Sequence, residues 1–159
     1  MPEKITIRRA HGSEQGRTII YTDGGARGNP GPAAIGAWVQ ETSDKRQEVK
    51  EYSKFLGTKT NNEAEYEAII FGLKKVKQLI GKKKAEKAKI EIRSDSELIV
   101  SQLNGNFKIK EKDLISYFIE IWNLKQDFKK VEYVQIPREE NKRADRLVNR
   151  ELDSQRGLF

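Results

Sequence analysis

Hydrophobic residues along this chain follow first the spacing of strands and then, over longer stretches, the spacing of helices. The first part has three short apolar runs rich in β-branched and aromatic residues, at 18–22, 33–41 and 46–55. Such runs are typical of strands, and the polar residues 42–45 suit a hairpin between the second and third. Short connections join antiparallel neighbours, so the pattern predicts an antiparallel meander of three strands.

Longer amphipathic stretches follow the meander. Apolar residues recur at helical spacing over 61–80, 111–128 and 142–152, which predicts three helices separated by glycine- or proline-containing breaks. Two more strands, 89–94 and 129–136, and a short helix at 98–103 complete the predicted elements. The sequence therefore predicts an α/β fold in which strands and helices alternate after the meander.

The length and composition of the chain exclude several classes of protein and of functional site. A chain of 159 residues suits one domain with a real core. It contains no cysteine, which excludes disulfides, thiolate metal sites and cysteine nucleophiles. No run approaches the roughly 18 apolar residues of a membrane span, and the first residues lack the apolar core of a signal peptide. A cytoplasmic location is therefore predicted.

The charge is positive but unevenly distributed. The net charge is +7, which invites a nucleic-acid partner. Residues 74–93 hold nine basic and two acidic residues, an excess equal to the whole net charge. Residues 1–16 favour a flexible basic N-terminal extension; the alternative is a short added strand around Ile5 and Ile7. His11, the only histidine, is read as a solvated side chain.

The first strand ends in a carboxylate, Asp23, and then breaks into a loop with four glycines and two prolines. Glycine and proline at that density exclude helix and regular strand and let the backbone approach a ligand closely. A carboxylate at the end of a core strand is a common metal ligand. The alternative is that Asp23 only accepts hydrogen bonds within a tight turn.

Three further carboxylates stand at comparable positions. Glu65 lies on the apolar face of the predicted helix 61–80, where an unpaired charge is costly unless a cation or a proton neutralises it. Asp95 ends the strand 89–94, and Asp145 lies in the first turn of the last helix. Structural alternatives remain open: a buried salt bridge for Glu65, a helix cap for Asp95 and a helix-dipole contact for Asp145.

These four carboxylates share one edge of a layered sheet if the strand of Asp23 runs parallel to that of Asp95. Four such groups repel one another unless divalent cations bind between them. Oxygen-only ligands favour Mg²⁺ or Mn²⁺. Two such ions about 3.5–4 Å apart form the clamp used for in-line displacement at phosphodiesters.

Four ordered segments resemble type I ribonuclease H. They are Tyr21 to Gly31 (YTDGGARGNPG), Thr60 to Glu65 (TNNEAE), Ser94 to Ser96 (SDS) and Asn141 to Asp145 (NKRAD). The resemblance implies a ribonuclease H-like α/β fold, a five-stranded mixed sheet with three antiparallel strands and then two parallel ones, flanked by helices. It also implies a catalytic domain at 17–153, followed by a short C-terminal tail at 154–159.

The resemblance further implies an activity and its residues. The enzyme would hydrolyse the RNA strand of RNA–DNA hybrids with two Mg²⁺ ions, Mn²⁺ being a substitute, and leave 5′-phosphate and 3′-hydroxyl ends. Asp23, Glu65, Asp95 and Asp145 would be the catalytic metal ligands, with Asp23 bridging both ions. A monomer is expected, and cleavage of double-stranded RNA is left open. The residues expected to contact the substrate are Gly24, Asn29, Thr60, Asn61, Asn62 and Arg138.

The chain also departs from the family pattern. Many relatives have a histidine in the loop after the last strand, where Arg138 is the nearest candidate here. Arginine stays protonated and cannot act as a base, although it can hold a phosphate. Glu97 stands where some relatives have glutamine, so a substrate contact at that position is in doubt.

A further departure from the family pattern concerns substrate binding. The basic, tryptophan-rich insertion of some bacterial relatives is missing, and only Lys108, Lys110 and Lys112 lie in that region, which predicts weak and salt-sensitive binding. Lys82 to Lys84 are expected in a solvated loop far from the metals. Two alternatives remain: a catalytically silent module that binds hybrid or double-stranded RNA, and another nuclease of the same fold.

Overall fold

The computed structural model describes residues 17–42 and 47–156. Both interpretations of residues 1–16, the assignment of His11 and the last residues of the predicted C-terminal tail lie outside these ranges. None of the helices in the described ranges is both long and apolar enough to cross a membrane.

Five strands form one mixed sheet in the order β3-β2-β1-β4-β5. The first three strands pair antiparallel, whereas β4 pairs parallel with both β1 and β5. The predicted five-stranded sheet, three antiparallel strands followed by two parallel ones, is therefore confirmed. The strands are β1 (Arg17–Ala26), β2 (Gly31–Thr42), β3 (Gln47–Lys59), β4 (Lys89–Ser94) and β5 (Lys130–Gln135).

Helices cover both faces of this sheet. In chain order they are α1 (Asn61–Ile80), α2 (Lys82–Ala85), α3 (Glu97–Leu103), α4 (Ile115–Lys125) and α5 (Lys142–Arg156). Short 3₁₀ turns, Lys112–Leu114 and Arg138–Glu140, precede α4 and α5.

Three helical segments differ from their predicted extent. The predicted helix at 111–128 begins as a 3₁₀ turn and ends at Lys125, because the next backbone N–H groups bond three residues back. The last helix continues to Arg156, past the predicted end at 152. Lys82–Ala85 form one helical turn with Ala85 buried, where a solvated loop was predicted; the three lysines remain exposed.

Successive side chains of β1 point to opposite faces of the sheet, and helices cover both faces. Ile20 packs into the core formed with α1 and α4, which includes Leu73 and Ile121. Ile19 and Tyr21 point to the opposite face, where α5 covers them. A strand covered on both faces carries consecutive apolar residues, as Ile19, Ile20 and Tyr21 do here.

A capping box sets the start of α1. The N–H of Glu63 donates to the Thr60 hydroxyl at 3.1 Å, and the N–H of Thr60 donates to the Glu63 carboxylate at 2.9 Å. Two otherwise unpaired backbone donors are thereby satisfied. Glu63 therefore caps the helix, whereas Glu65 is the carboxylate of this turn that points towards the sheet.

Candidate active site

Asp23, Glu65 and Asp95 meet at one edge of the sheet. An oxygen atom from each lies within 4.8 Å of the others. The sheet register accounts for the first and last of them, because Tyr21 pairs with Arg93 between parallel strands and each aspartate follows two residues later. Glu65 reaches the same point from the beginning of α1. The predicted parallel arrangement of the two strands is thus present, and it brings these three side chains together.

Gly24 lets α1 approach the end of β1. A Cβ atom on Gly24 would lie 2.2 Å from the Ala64 carbonyl oxygen and 2.7 Å from the Glu65 nitrogen, closer than real side chains allow. The N–H of Gly24 also donates to the Glu65 carboxylate at 3.2 Å. The sequence predicted a substrate contact for Gly24, and the structure adds a packing role for it.

Burial and mutual repulsion govern the charge of this cluster. Burial, followed by the charges of Asp95 and Asp145, raises the pKa of Asp23 to about 8. Burial also raises the pKa of Glu65 well above its usual range, with further contributions from Asp23 and Asp95. The Gly24 N–H and the Arg138 guanidinium oppose the shift in the pKa of Glu65, but they do not cancel it. Without a cation, the cluster therefore retains protons at neutral pH.

These residues fit a hard divalent cation. The donors are all carboxylate oxygens, and their mutual repulsion is what a cation relieves. Protons held on Asp23 and Glu65 would be released when the ion binds, because a ligating carboxylate is ionised.

Asp145 stands at the rim of the cluster. It lies in the first turn of α5 and is exposed, and it falls outside the group of three oxygens that approach within 4.8 Å. The Asn149 amide donates to its backbone carbonyl at 3.1 Å and to its carboxylate at 3.3 Å. All four predicted carboxylates line one cleft of about 390 Å³, but three are clustered closely and one lies at the edge.

Cations line the same cleft. Arg138 is on its wall, at the position expected to hold a phosphate. Arg27 also lines it and forms an ion pair with Asp153 at 2.8 Å, joining the glycine-rich loop to α5.

The predicted substrate contacts gather where the glycine-rich loop meets α1. The N–H of Asn61 donates to the Asn29 side-chain oxygen, and the N–H of Ala26 donates to the Asn61 side-chain oxygen, both at 2.9 Å. The Asn62 amide donates to Glu111 at 2.9 Å. Asn29 and Asn61 are exposed, while Thr60 and Asn62 are partly buried. The six predicted contacts therefore lie on two neighbouring surfaces: the cleft, and the junction of the loop with α1.

Asn141, which the sequence pattern does not mark as a site residue, also reaches the cluster. It is fully buried, and its amide nitrogen donates to the Thr22 carbonyl at 2.9 Å and to an Asp95 carboxylate oxygen at 3.3 Å. In the sequence an asparagine before a helix indicates only a cap. No local signal could have indicated these distant partners.

A second groove adjoins Asn62 through Glu111. It has a volume of about 560 Å³, and Phe107, 47% exposed, is in its wall. Lys108 and Lys110 also line this groove, together with Glu111. An exposed aromatic among lysines is a surface suited to nucleic acid, because bases stack on the ring and phosphates meet the cations.

The chain is similar in sequence to a protein family and to named relatives. Residues 21–151 match a family model described as reverse transcriptase-like. The chain is 38% identical over 138 residues to Ribonuclease HI of Halobacterium salinarum, covering 87% of this chain and 65% of that protein. It is 37% identical over 138 residues to a bifunctional protein of Mycobacterium tuberculosis. That match covers 87% of this chain and 36% of the mycobacterial protein, so the chain spans less than two thirds of either relative.

One solved structure matches this chain over nearly the whole of its own length. The structure of LC11-RNase H1 in complex with an RNA/DNA hybrid superposes with a TM-score of 0.78 at 46% sequence identity. The match covers 87% of this chain and 98% of that one.

Proposed function

This chain belongs to the type I ribonuclease H family, and on that premise we propose that it is an endoribonuclease that hydrolyses the RNA strand of RNA–DNA hybrids. The observation that carries the proposal is the approach of Asp23, Glu65 and Asp95 to within 4.8 Å at the sheet edge. Clustered carboxylates repel a phosphodiester unless cations lie between them, so the arrangement favours a metal-dependent enzyme over a binding module.

We propose that Asp23, Glu65 and Asp95 hold one divalent ion and that Asp145, with Asp23, holds a second. Mg²⁺ is the proposed ion, with Mn²⁺ as a substitute. When bound, such ions would activate water for attack at neutral pH and would stabilise negative charge on the departing oxygen. The products are a 5′-phosphate and a 3′-hydroxyl.

Recognition of the RNA strand is assigned to the loop–helix junction. The oxygens of Asn29 and Asn61 are engaged by backbone N–H groups, which fixes the orientation of both amides. In the described ranges no hydrogen bond uses the amide nitrogen of either side chain, so both can donate to 2′-hydroxyls or to minor-groove acceptors. Asn62 is proposed to contact the minor groove and the RNA 2′-hydroxyls beside them. Thr60 is proposed to contact a phosphate of the DNA strand, and Gly24 to contact the substrate in the cleft.

Arg138 is proposed to bind a phosphate beside the metal ligands. Its guanidinium lines the cleft and can pair with phosphate oxygens through two N–H groups. The groove at Phe107 is proposed as a further contact with the substrate strands. That region has three lysines and lacks the longer basic insertion of some relatives. Binding of the hybrid is therefore expected to weaken steeply with salt.

The activity is tested by incubating the purified chain with labelled RNA–DNA hybrid, double-stranded RNA and double-stranded DNA. We expect cleavage of the RNA strand of the hybrid in Mg²⁺ or Mn²⁺, and none after EDTA removes the metal. The double-stranded RNA arm decides whether that substrate is also cut. A hybrid that survives in both metals while still binding the protein would support a silent binding module. Cutting of duplex DNA would favour another nuclease of this fold.

A variant of Arg138 tests the phosphate contact. Arg138→Ala is expected to reduce kcat/KM for the hybrid about tenfold, the loss of one charge-assisted contact. Arg150→Ala, which removes an exposed arginine of α5 that does not line the cleft, is the matched control and should remain near wild type. If Arg138→Ala lowered kcat/KM as much as the loss of a clustered carboxylate does, the proposed role of Arg138 would be contradicted.

Two other predictions stay untested: that the chain is a monomer, and that it is cytoplasmic.

A further inference from the structure

Asn141 occupies the position before the first residue of α5. The N–H of Asp145 donates to its backbone carbonyl at 3.1 Å, which is the first hydrogen bond of that helix. An asparagine at this position ordinarily caps the helix through its side-chain oxygen, which accepts from a backbone N–H in the first turn. Here the Asn141 side-chain oxygen is buried and accepts no hydrogen bond from any described residue. The side chain therefore does not cap the helix.

The amide nitrogen makes the contacts instead. It donates at 2.9 Å to the Thr22 carbonyl of β1 and at 3.3 Å to the Asp95 carboxylate beyond β4. Both partners are acceptors only, so the opposite orientation of the amide would set oxygen against oxygen at both contacts. The two acceptors thus determine the orientation, even though the side-chain oxygen is left unpaired, which is unfavourable in a buried position.

We propose that Asn141 is a positioning residue that holds the Asp95 carboxylate in the direction needed for metal binding, an inference that rests on the proposed function. Asp95 follows the end of β4, so the strand ladder does not orient its side chain. A hydrogen bond to one carboxylate oxygen fixes the direction of the other. The same amide nitrogen donates to the carbonyl of Thr22, the residue before Asp23. It therefore links the Asp95 carboxylate to the backbone next to Asp23.

The chemistry of the amide suits this task. A lysine or arginine at this position would neutralise Asp95 and weaken the need of the cluster for a cation. An amide donates a hydrogen bond without adding charge, so Asp95 is oriented while its negative charge remains for the metal. Groups that hold metal-ligating carboxylates in this way typically change metal affinity or activity 10- to 100-fold when they are removed.

The first test measures metal affinity without substrate. Calorimetric titration of the full chain with Mn²⁺ is expected to give a Kd about 10- to 100-fold higher for Asn141→Ala than for wild type. In hybrid cleavage, kcat at a fixed low Mn²⁺ concentration should fall while KM for the hybrid changes less than about twofold, and added Mn²⁺ should restore part of the rate. An Asn141→Ala protein with wild-type Mn²⁺ affinity would overturn the proposal.

Asn104→Ala is the matched control. The Asn104 amide also donates to a strand carbonyl, that of Tyr133 at 3.1 Å, but it contacts no carboxylate of the cluster. This variant should bind Mn²⁺ as wild type does. Asn141→Ser is the second variant, polar but too short to reach both acceptors, and it should also lose affinity. Wild-type affinity in whichever Asn141 variant remains folded in urea titrations contradicts the positioning role.

A double-mutant cycle distinguishes positioning from general destabilisation. If Asn141 acts through Asp95, the Asn141→Ala change should alter Mn²⁺ affinity less than about twofold in a protein that already carries Asp95→Asn. An equal loss of affinity in both backgrounds would show that Asn141 acts by another route. Cleavage of the hybrid by the wild-type protein tests the proposed function. The Mn²⁺ titrations require no turnover, so they test the positioning role independently.

Discussion

Asp23→Asn is expected to lower hybrid cleavage by at least about three orders of magnitude, because it removes the central charge from a site whose electrostatics carry the reaction. Asp23 is a buried residue of β1, and one of its carboxylate oxygens lies within 4.8 Å of oxygens from both Glu65 and Asp95. Single-turnover cleavage at saturating Mg²⁺ measures the effect. A variant that retains near-normal turnover would remove Asp23 from the proposed site.

The same substitution is expected to stabilise the metal-free protein at neutral and alkaline pH. Burial and neighbouring charges raise the pKa of Asp23 from 3.8 to about 8 in the folded state. The native protein therefore binds more protons than the unfolded chain between these values, and its stability falls as the pH rises through that window. Asparagine carries no such proton, so the variant avoids this loss.

Urea unfolding in EDTA measures this gain. At pH 8 the variant should be more stable than wild type by more than about 1 kcal/mol, whereas near pH 4 the difference should be small. Asp127→Asn is a suitable control, because Asp127 pairs with Lys77 on the surface and takes no part in the cluster. The same stability difference at both pH values would mean that Asp23 is not held protonated by its surroundings.

Gly24→Ala is expected to destabilise the protein by about 3 kcal/mol or more and to disrupt the site at the same time. The added Cβ would meet main-chain atoms of α1, 2.2 Å from the Ala64 oxygen and 2.3 Å from its carbonyl carbon. Backbone atoms of a helix cannot swing aside as a flexible side chain can. The helix must move away from β1, and Glu65 moves with it.

The neighbouring glycine provides the control. A Cβ on Gly25 would lie 3.8 Å from the Val148 side chain, an ordinary van der Waals contact, and its backbone has no positive φ angle. Gly25→Ala should therefore change stability by less than about 1 kcal/mol. Urea midpoints of both variants, with Mn²⁺ titration of any that fold, test the contrast. Equal stability of the two variants would contradict the close approach of α1 to β1.

Local patterns of the sequence predicted the elements and the residues that line the candidate site. Alternating and helical spacings are local properties of the chain, so they predicted the meander, α1 and the end of β4 just before Asp95. The predicted end of the first strand at Asp23 was wrong, because pairing with β2 continues β1 through the glycines to Ala26. Helical spacing likewise put Glu65 on the inward face of α1, because the face of a residue follows from its position in the turn. Segment ends were less accurate, since the last turns of α4 and α5 depend on packing and on local hydrogen bonds.

How these parts meet depends on the tertiary structure. The register of β1 against β4 aligns the two aspartates, and the missing side chain of Gly24 admits α1, so three carboxylates cluster while Asp145 remains at the rim. The amide of Asn141 turns from its own helix towards Thr22 and Asp95, residues 119 and 46 positions away. Contacts over such separations depend on the packing of distant segments, and no pattern within a short stretch of sequence encodes them.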